Sequence, residues 1–203
     1  MMRRMVSLAV GLTLVSASAV ASDTSFDHFR PMTGDVGAST LPESAPYRLS
    51  SLHFSQKAIV ARDVSQRKRF DSGHYDMQTA NETGPDAGRY LFSVFETRQA
   101  GIQRTDLRTL VTTTIWAAPA PGSHVSFDAA RWTPWSSLLT AEDSWSDPAA
   151  PTSRYGRLFE VTNPLAAPGD VGITHRAILP RVAHEGLAFD HNNTLYFVVW
   201  LMI

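Results

Sequence analysis

The feature that most constrains the fold of this chain is a succession of short apolar segments separated by loops rich in glycine, proline and asparagine. Segments such as YLFSVF at 90–95 and TLVTTTIW at 109–116 are aromatic and β-branched, a composition that favours strands. The same character recurs in IQRTDL, SSLLTAE, GRLFEVT, THRAILPRV, GLAFD and TLYFVVW, with a turn candidate at 191–193. Such spacing predicts an all-β sandwich, barrel or propeller.

The first 21 residues have the three parts of a secretory signal peptide. Arg3 and Arg4 precede an apolar stretch at 5–15, and small residues lead to Ala21, after which we expect cleavage. The arginine pair leaves both general and twin-arginine export open. No other segment of the sequence is apolar enough to span a membrane. We therefore predict a secreted or periplasmic protein with no membrane attachment after signal cleavage.

Beyond the signal peptide, the chain divides into an arm and one folded region. Residues 22–46 are rich in Ser, Thr, Pro and Gly, show no sustained period and predict an extended arm. Residues 47–203 contain the strand candidates and are predicted to form one domain, which a length of 203 residues allows. Within that domain, residues 62–89 are charged and carry several glycines, so they predict a loop.

Composition removes several classes of function. A formal net charge of −1 leaves no basic footprint for a nucleic-acid partner. The chain has no cysteine, so disulfides, thiolate metal sites and cysteine nucleophiles are excluded. The HExxH, Walker and GxSxG motifs are also missing, which leaves zinc-protease, P-loop and serine-hydrolase interpretations unsupported.

Three glutamates stand at the ends of strand candidates, namely Glu96, Glu142 and Glu185. Carboxylate oxygens are the ligands that Ca²⁺ and Mg²⁺ prefer, so we expect these side chains to converge on one cation. Their recurrence at roughly 45 residues fits one four-stranded propeller blade per unit. The alternative is that each acid begins a solvated loop, and Asp143 offers a second acid beside Glu142. His184, next to Glu185, is either a partner that orients a ligand or a structural histidine.

Longer motifs carry a resemblance to a known family. GPDAGRYLF, FETRQAGIQRTDL, FDAARWTPWSSLLTAEDSW, GRLFEVTNP and LPRVAHEGLAFDHNNTLYF, within residues 47–198, together resemble the PhoX-type alkaline phosphatase family. Its members are exported bacterial β-propeller proteins, and the resemblance implies a cluster of Ca²⁺ and iron in the central channel. It further implies that the ligands include the glutamates at positions 96, 142 and 185. A basic residue, with Arg98 and Arg181 as candidates, would hold the phosphate by bidentate hydrogen bonds.

The chain departs from the family pattern in three respects. It has no cysteine to ligate iron, it carries Val199 and Trp200 where relatives continue with acidic residues, and it spans only the N-terminal part of the usual length. The prediction is therefore a partial β-propeller, the N-terminal blades of a larger one and an incomplete copy, with Ca²⁺ as its cofactor and iron left without its cysteine ligand.

Two functions remain open at this point. The first is that of a phosphoric monoester hydrolase, acting on a small phosphate ester at a carboxylate cluster that contains Ca²⁺. The alternative is a catalytically inactive metal-binding propeller fragment or interaction module. Because two or three blades cannot close a ring, we also predict association through open strand edges.

Overall fold

The chain folds, in a computed structural model, as a set of antiparallel β-sheets. The structure describes residues 41–42, 45, 55–59, 75–144 and 154–200. Two compact units divide the chain, Met1–Leu41 with Pro46–Gln56 and Pro42–Ala45 with Lys57–Ile203, and the strands given below all lie in the second unit. The predicted signal peptide and most of the predicted arm fall outside the described residues. In the part of the chain that the structure describes, we find no helix that is long and apolar enough to cross a membrane.

Ten strands of the described residues form three sheets, which confirms the all-β prediction. In the first two sheets, neighbouring strands follow one another along the chain, so each sheet is a four-stranded meander, and the third sheet is a hairpin. The first sheet contains β1 (Tyr75–Ala80), β2 (Tyr90–Phe95), β3 (Gly101–Asp106) and β4 (Val111–Ala117). The second contains β5 (Phe127–Trp132), β6 (Leu138–Glu142), β7 (Leu158–Val161) and β8 (Ile173–His175). The third contains β9 (Ala183–Phe189) and β10 (Leu195–Trp200).

The main core lies between the first two sheets, where β1 and β2 pack against β5. Trp132 stacks on Phe92 with ring centroids 5.5 Å apart, and Phe127 contacts Phe159 at 5.5 Å. All four side chains are at most 2% exposed, and burying each of them contributes about 2 kcal/mol. The indole nitrogen of Trp132 donates a hydrogen bond to Thr83, which satisfies the one polar atom of the ring.

A smaller core joins the second and third sheets. It is formed by the aliphatic side chains of Ala129, Leu139, Ala141, Leu158 and Leu187. The first strands of the three sheets are neighbours, since β1 packs on β5 and β5 packs on β9. Side chains from these three strands can therefore meet.

Most of the predicted strands are present with small changes in their bounds. The turn at 191–193 is confirmed, since Asn193 has a φ of 63° and donates its N–H to the carbonyl of Asp190. THRAILPRV, however, contributes only Thr174 and His175 to a strand, β8.

Two strands differ from the sequence prediction. The loop predicted over 62–89 is wrong where it covers β1, and β5 is absent from the predicted strands. Each of these strands has an aspartate as its second residue, Asp76 in β1 and Asp128 in β5. Aspartate is depleted in strands, so Asp76 and Asp128 lower the strand propensity of these two segments. The sequence therefore does not reveal them as strands.

Candidate metal centre

A cluster of acidic side chains lies where the first strands meet. Carboxylate oxygens of Asp128, Asp143 and Glu185 all lie within 4.8 Å of one another. Asp128 belongs to β5, Asp143 follows β6, and Glu185 belongs to β9. The carboxyl group of Asp76, in β1, hydrogen-bonds with that of Asp128. We call these four residues, which come from all three sheets, the carboxylate cluster.

Three members of the carboxylate cluster occupy the same kind of position, an irregularity in the first strand of a sheet. The register of β1 against β2 shifts around Asp76, and that of β5 against β6 shifts around Asp128. In β9, Gly186 and His184 pair with consecutive residues of β10, which leaves Glu185 between them as the extra residue. Such β-bulges re-aim a side chain out of the regular alternation of a strand and are enriched at sites. Each of the three sheets therefore presents its acid at a β-bulge in its first strand.

Burial and mutual repulsion dominate the electrostatics of the cluster. Asp128 is 5% exposed, and burial, followed by the hydrogen bond and charge of Asp76 and the charges of Glu185 and Asp143, raises the pKa of Asp128 to about 8. Burial, with the charges of Glu185 and Asp76, also raises the pKa of Asp143. In the described part of the chain, no lysine or arginine forms an ion pair with any of the four. Negative charge is thus concentrated without compensation by a nearby basic side chain.

The donor set decides which metals the cluster suits. All of its candidate ligand atoms are carboxylate oxygens, which hard cations such as Ca²⁺ and Mg²⁺ prefer. The oxygens lie within 4.8 Å of one another, and Ca²⁺, which takes six to eight oxygens in flexible geometry, tolerates such a loose arrangement better than Mg²⁺, which demands a near-ideal octahedron. The residues present therefore fit Ca²⁺. They do not supply the cysteine that the family resemblance implies for iron, because the chain has none.

The structure treats the three predicted ligands differently. Glu185 is a member of the carboxylate cluster, whereas Glu96, which follows β2, is not among its residues. Glu142 is fully buried and accepts four hydrogen bonds from protein donors. Its Oε1 accepts from the N–H of Val125 and from Nη2 of Arg157, and its Oε2 accepts from the backbone N–H and Nε of Arg157. Both carboxylate oxygens of Glu142 are thus engaged by the protein.

Asp143 replaces Glu142 in the candidate ligand set because consecutive residues of a strand face opposite sides. The N–H of Glu142 bonds to the carbonyl of Arg157 on the β7 side, whereas the N–H of Asp143 bonds to the carbonyl of Ser126 on the β5 side. These bonds extend the strand pattern through Asp143, so the two side chains face opposite sides: that of Glu142 meets Arg157, and that of Asp143 joins the carboxylate cluster. Of the three glutamates expected to converge, Glu96, Glu142 and Glu185, the structure places only Glu185 in the carboxylate cluster.

His184 is fully buried and packs 5.7 Å from the ring of Phe197. Burial lowers its pKa, which keeps the imidazole neutral near pH 7. Neither ring nitrogen has a hydrogen-bond partner of good geometry among the described residues. His184 thus lies in the interior of the fold and forms no hydrogen bond with Glu185.

The candidate phosphate-binding arginines lie on exposed segments. Arg98 follows β2, where its carbonyl accepts a hydrogen bond from Gly122. Arg181 lies shortly before β9, and its charge contributes to a lowered pKa of His175, for which burial is the larger cause. Neither arginine forms an ion pair with the carboxylate cluster in the described residues.

Sequence reasoning misses Asp76 and Asp128, and the signal that could have found them is weak. In FDAARW, Asp128 is the one polar residue among the first four. An acid in such an apolar stretch is rarely buried unless it is paired or binds a metal. No family model, curated protein or solved structure matches the chain. The function must therefore be argued from the carboxylate cluster and from the sequence motifs.

Proposed function

We propose that the chain binds one divalent cation, Ca²⁺ in preference to Mg²⁺, through Asp128, Asp143 and Glu185, with Asp76 adjacent. The observation that carries this proposal is the convergence of three carboxylates from separate segments within 4.8 Å. Ca²⁺ takes six to eight oxygen ligands in flexible geometry, so water or a substrate oxygen would complete the shell. A divalent cation would offset the repulsion that the buried acids exert on one another.

The finer fold that we propose is a partial β-propeller. Support comes from the two consecutive four-stranded meanders, from the packing of each first strand on the next, and from the three bulges that carry acids. In a propeller the first strands of successive blades surround a central channel, which is where such acids would meet. On this proposal, β9 and β10 are the first half of a third blade.

We further propose that the site serves phosphomonoester hydrolysis of the PhoX type in an exported protein. A bound Ca²⁺ would supply the positive charge that holds and polarises phosphate oxygens. Arg98 and Arg181 have the planar guanidinium group that binds a phosphate by two parallel hydrogen bonds. The motifs around Glu142 and Glu185 support this assignment, together with the oxygen-only donor set.

A second candidate is a metal-binding module without turnover. Two observations favour it. The 203 residues contain no cysteine to ligate iron, and Glu142, a ligand according to the resemblance, is held by Arg157 instead. A site with Ca²⁺ alone would lack the second metal that activates a nucleophile.

Calorimetric titration of the purified chain with Ca²⁺, paired with hydrolysis of p-nitrophenyl phosphate, tests both candidates. The test variant is Glu185→Gln, and the matched control is Asp170→Asn, an exposed acid outside the cluster. We expect one Ca²⁺ site that Glu185→Gln weakens at least about tenfold and the control leaves unchanged. Turnover that requires Ca²⁺ and disappears in Glu185→Gln supports the phosphatase, and binding without turnover supports the module. A parent chain that binds no Ca²⁺ refutes both.

A further inference from the structure

A cavity of about 260 Å³ lies on the face of the first sheet that is opposite the main core. Its floor is formed by side chains of β1, β2 and β3, and Lys57 and Ile59, which precede β1 in the same compact unit, line it as well. β2 and β3 are each hydrogen-bonded to a strand on both sides. The centre of the floor is therefore complete without any further strand.

The floor of the cavity is polar although it is buried. Ser93 pairs with Gln103 across β2 and β3, and Thr105 lies two residues further along β3 on the same face. Ser93, Gln103 and Thr105 are 8%, 2% and 2% exposed. Burial of a polar group costs free energy unless the group has a hydrogen-bond partner. Thr105 has its partner in the hydroxyl of Thr112, and the other two side chains require partners of their own.

The protein satisfies these two side chains only in part. The hydroxyl of Tyr75 donates to Oε1 of Gln103 at 3.1 Å. Nε2 of Gln103 donates to Oγ1 of Thr114 at 3.4 Å, a long contact that uses one of its two N–H groups. Among the described residues, the hydroxyl of Ser93 has no hydrogen-bond partner. A donor and a hydroxyl are thus left for an occupant of the cavity.

Lys57 determines the charge of that occupant. Of the described residues that line the cavity, Lys57 is the charged one, and its amine forms no ion pair in this part of the chain. One ammonium group matches the single charge of a carboxylate, whereas a phosphate monoester carries about −1.5 to −2 at pH 7. The volume is below the roughly 300–1,000 Å³ of sites for drug-sized ligands, so the occupant is small.

We propose that this cavity binds a small hydroxylated carboxylate, such as a sugar acid. The carboxylate lies at Lys57, and the hydroxyl groups bond to Ser93 and to the free N–H of Gln103. One partly exposed ion pair and a few hydrogen bonds give weak binding, with a dissociation constant of about 0.1–10 mM. The lining residues include no member of the carboxylate cluster. The inference therefore holds or fails whether or not the chain binds Ca²⁺.

Titration of the ¹⁵N-labelled parent chain with D-gluconate, followed by NMR in the presence of a chelator, tests the proposal. The chelator removes any binding of gluconate through a bound cation. We expect saturable shifts at the amide groups of Gln78, Ser93 and Gln103, including the side-chain amide of Gln103. D-glucitol has the same length and no charge, and it should bind at least about threefold more weakly. A parent chain without saturable shifts up to about 50 mM gluconate overturns the proposal, as do shifts centred on another part of the chain.

Two pairs of variants test the assigned contacts. Lys57→Met keeps the length of the side chain and removes its charge, so it should weaken gluconate at least about threefold and leave glucitol unchanged. The matched control is Arg108→Met, which removes an exposed positive charge outside the cavity and should change neither affinity. Ser93→Ala removes the unpartnered hydroxyl and should weaken both ligands, whereas Ser55→Ala, at an exposed serine outside the lining, should weaken neither. The spectrum of each variant without ligand verifies its fold. Equal gluconate affinities in the parent and in Lys57→Met would refute the assignment.

Discussion

Replacement of Asp128 by asparagine distinguishes a cation ligand from an acid that the fold needs for its own stability. The amide has the shape of the carboxylate and can donate a hydrogen bond to Asp76, so the main change is the loss of a buried charge. The pKa of Asp128 is raised to about 8 in the folded chain, against about 3.9 in an unfolded one. Between these values, the folded state holds a proton that the unfolded state releases. The free energy of unfolding of the parent therefore falls as the pH rises from about 4 to about 8.

The size of this effect follows from the same two pKa values. At pH 8, about four units above the pKa of Asp128 in the unfolded chain, the linkage corresponds to at most about 5.5 kcal/mol, since one unit is 1.36 kcal/mol. Water reaches Asp143 and Glu185, which are only partly buried, and screening reduces the expected value to about 1–2 kcal/mol. In the presence of a chelator at pH 8, Asp128→Asn should therefore be more stable than the parent by about that amount. At pH 5 the two chains should be similar.

Calcium should reverse the order of stability. At a concentration of 100 times its dissociation constant, Ca²⁺ stabilises the parent by about 2.7 kcal/mol, while the variant gains much less. Urea denaturation at pH 5 and pH 8, with chelator and with Ca²⁺, measures the free energy of unfolding of both chains in all four conditions. Asp106→Asn is the matched control, because hydrogen bonding to Arg89 lowers the pKa of Asp106 and its removal should destabilise the chain with or without Ca²⁺. An Asp128→Asn variant that is less stable than the parent in chelator at pH 8, or that responds to Ca²⁺ like the parent, would refute the reasoning.

Four further substitutions, one of them a control, test the packing of the fold by urea denaturation. Glu142→Gln breaks the buried pair with Arg157 and should lower the free energy of unfolding by about 3–5 kcal/mol. If this variant instead lost as much Ca²⁺ affinity as Glu185→Gln, Glu142 would be a metal ligand. Gly156→Ala forces a Cβ to within 2.7 Å of facing backbone atoms at a φ of +72° and should cost about 3 kcal/mol. Gly84→Ala, at +88° with open space around it, should cost about 1 kcal/mol, and equal losses would contradict the steric argument. Trp132→Ala empties the centre of the main core and should cost about 3–5 kcal/mol, so a loss below 1 kcal/mol would show that the site is not packed as described.

The sequence predicts the regular parts of this fold and misses the irregular ones. β2 and β4 are visible because aromatic and β-branched residues fill them, and the turn after Asp190 is visible because two asparagines tolerate its geometry. β1 and β5 are hidden because each begins with a bulge around an aspartate. A bulge breaks the period of two on which strand recognition depends. The residues that define the candidate site are thus the ones that local patterns describe least well.

The choice between Glu142 and Asp143 shows a second limit of sequence reasoning. The motif correctly indicates that an acid stands at the end of β6, but two acids are adjacent there and their composition alone does not separate them. The decision depends on Arg157, at the entrance to β7, which reaches Glu142 with two side-chain nitrogens. No local pattern predicts that contact, since it requires the pairing of β6 with β7 to be known.

The contrasting environments of these two acids give the strongest argument for a cation. Glu142 is buried with an arginine that neutralises it and with four donors that satisfy its oxygens. Asp143 faces Asp128 and Glu185, and the described part of the chain supplies no basic side chain to any of the three. The fold places an arginine against Glu142 but leaves Asp143 among like charges. The cluster around Asp143 therefore requires either a bound cation or a proton to offset the repulsion. Calcium titration at pH 8, close to the pKa of Asp128, and at pH 5, where Asp128 is protonated, decides between the two: a cation site binds more tightly at pH 8, whereas a cluster that only holds a proton binds Ca²⁺ at neither pH.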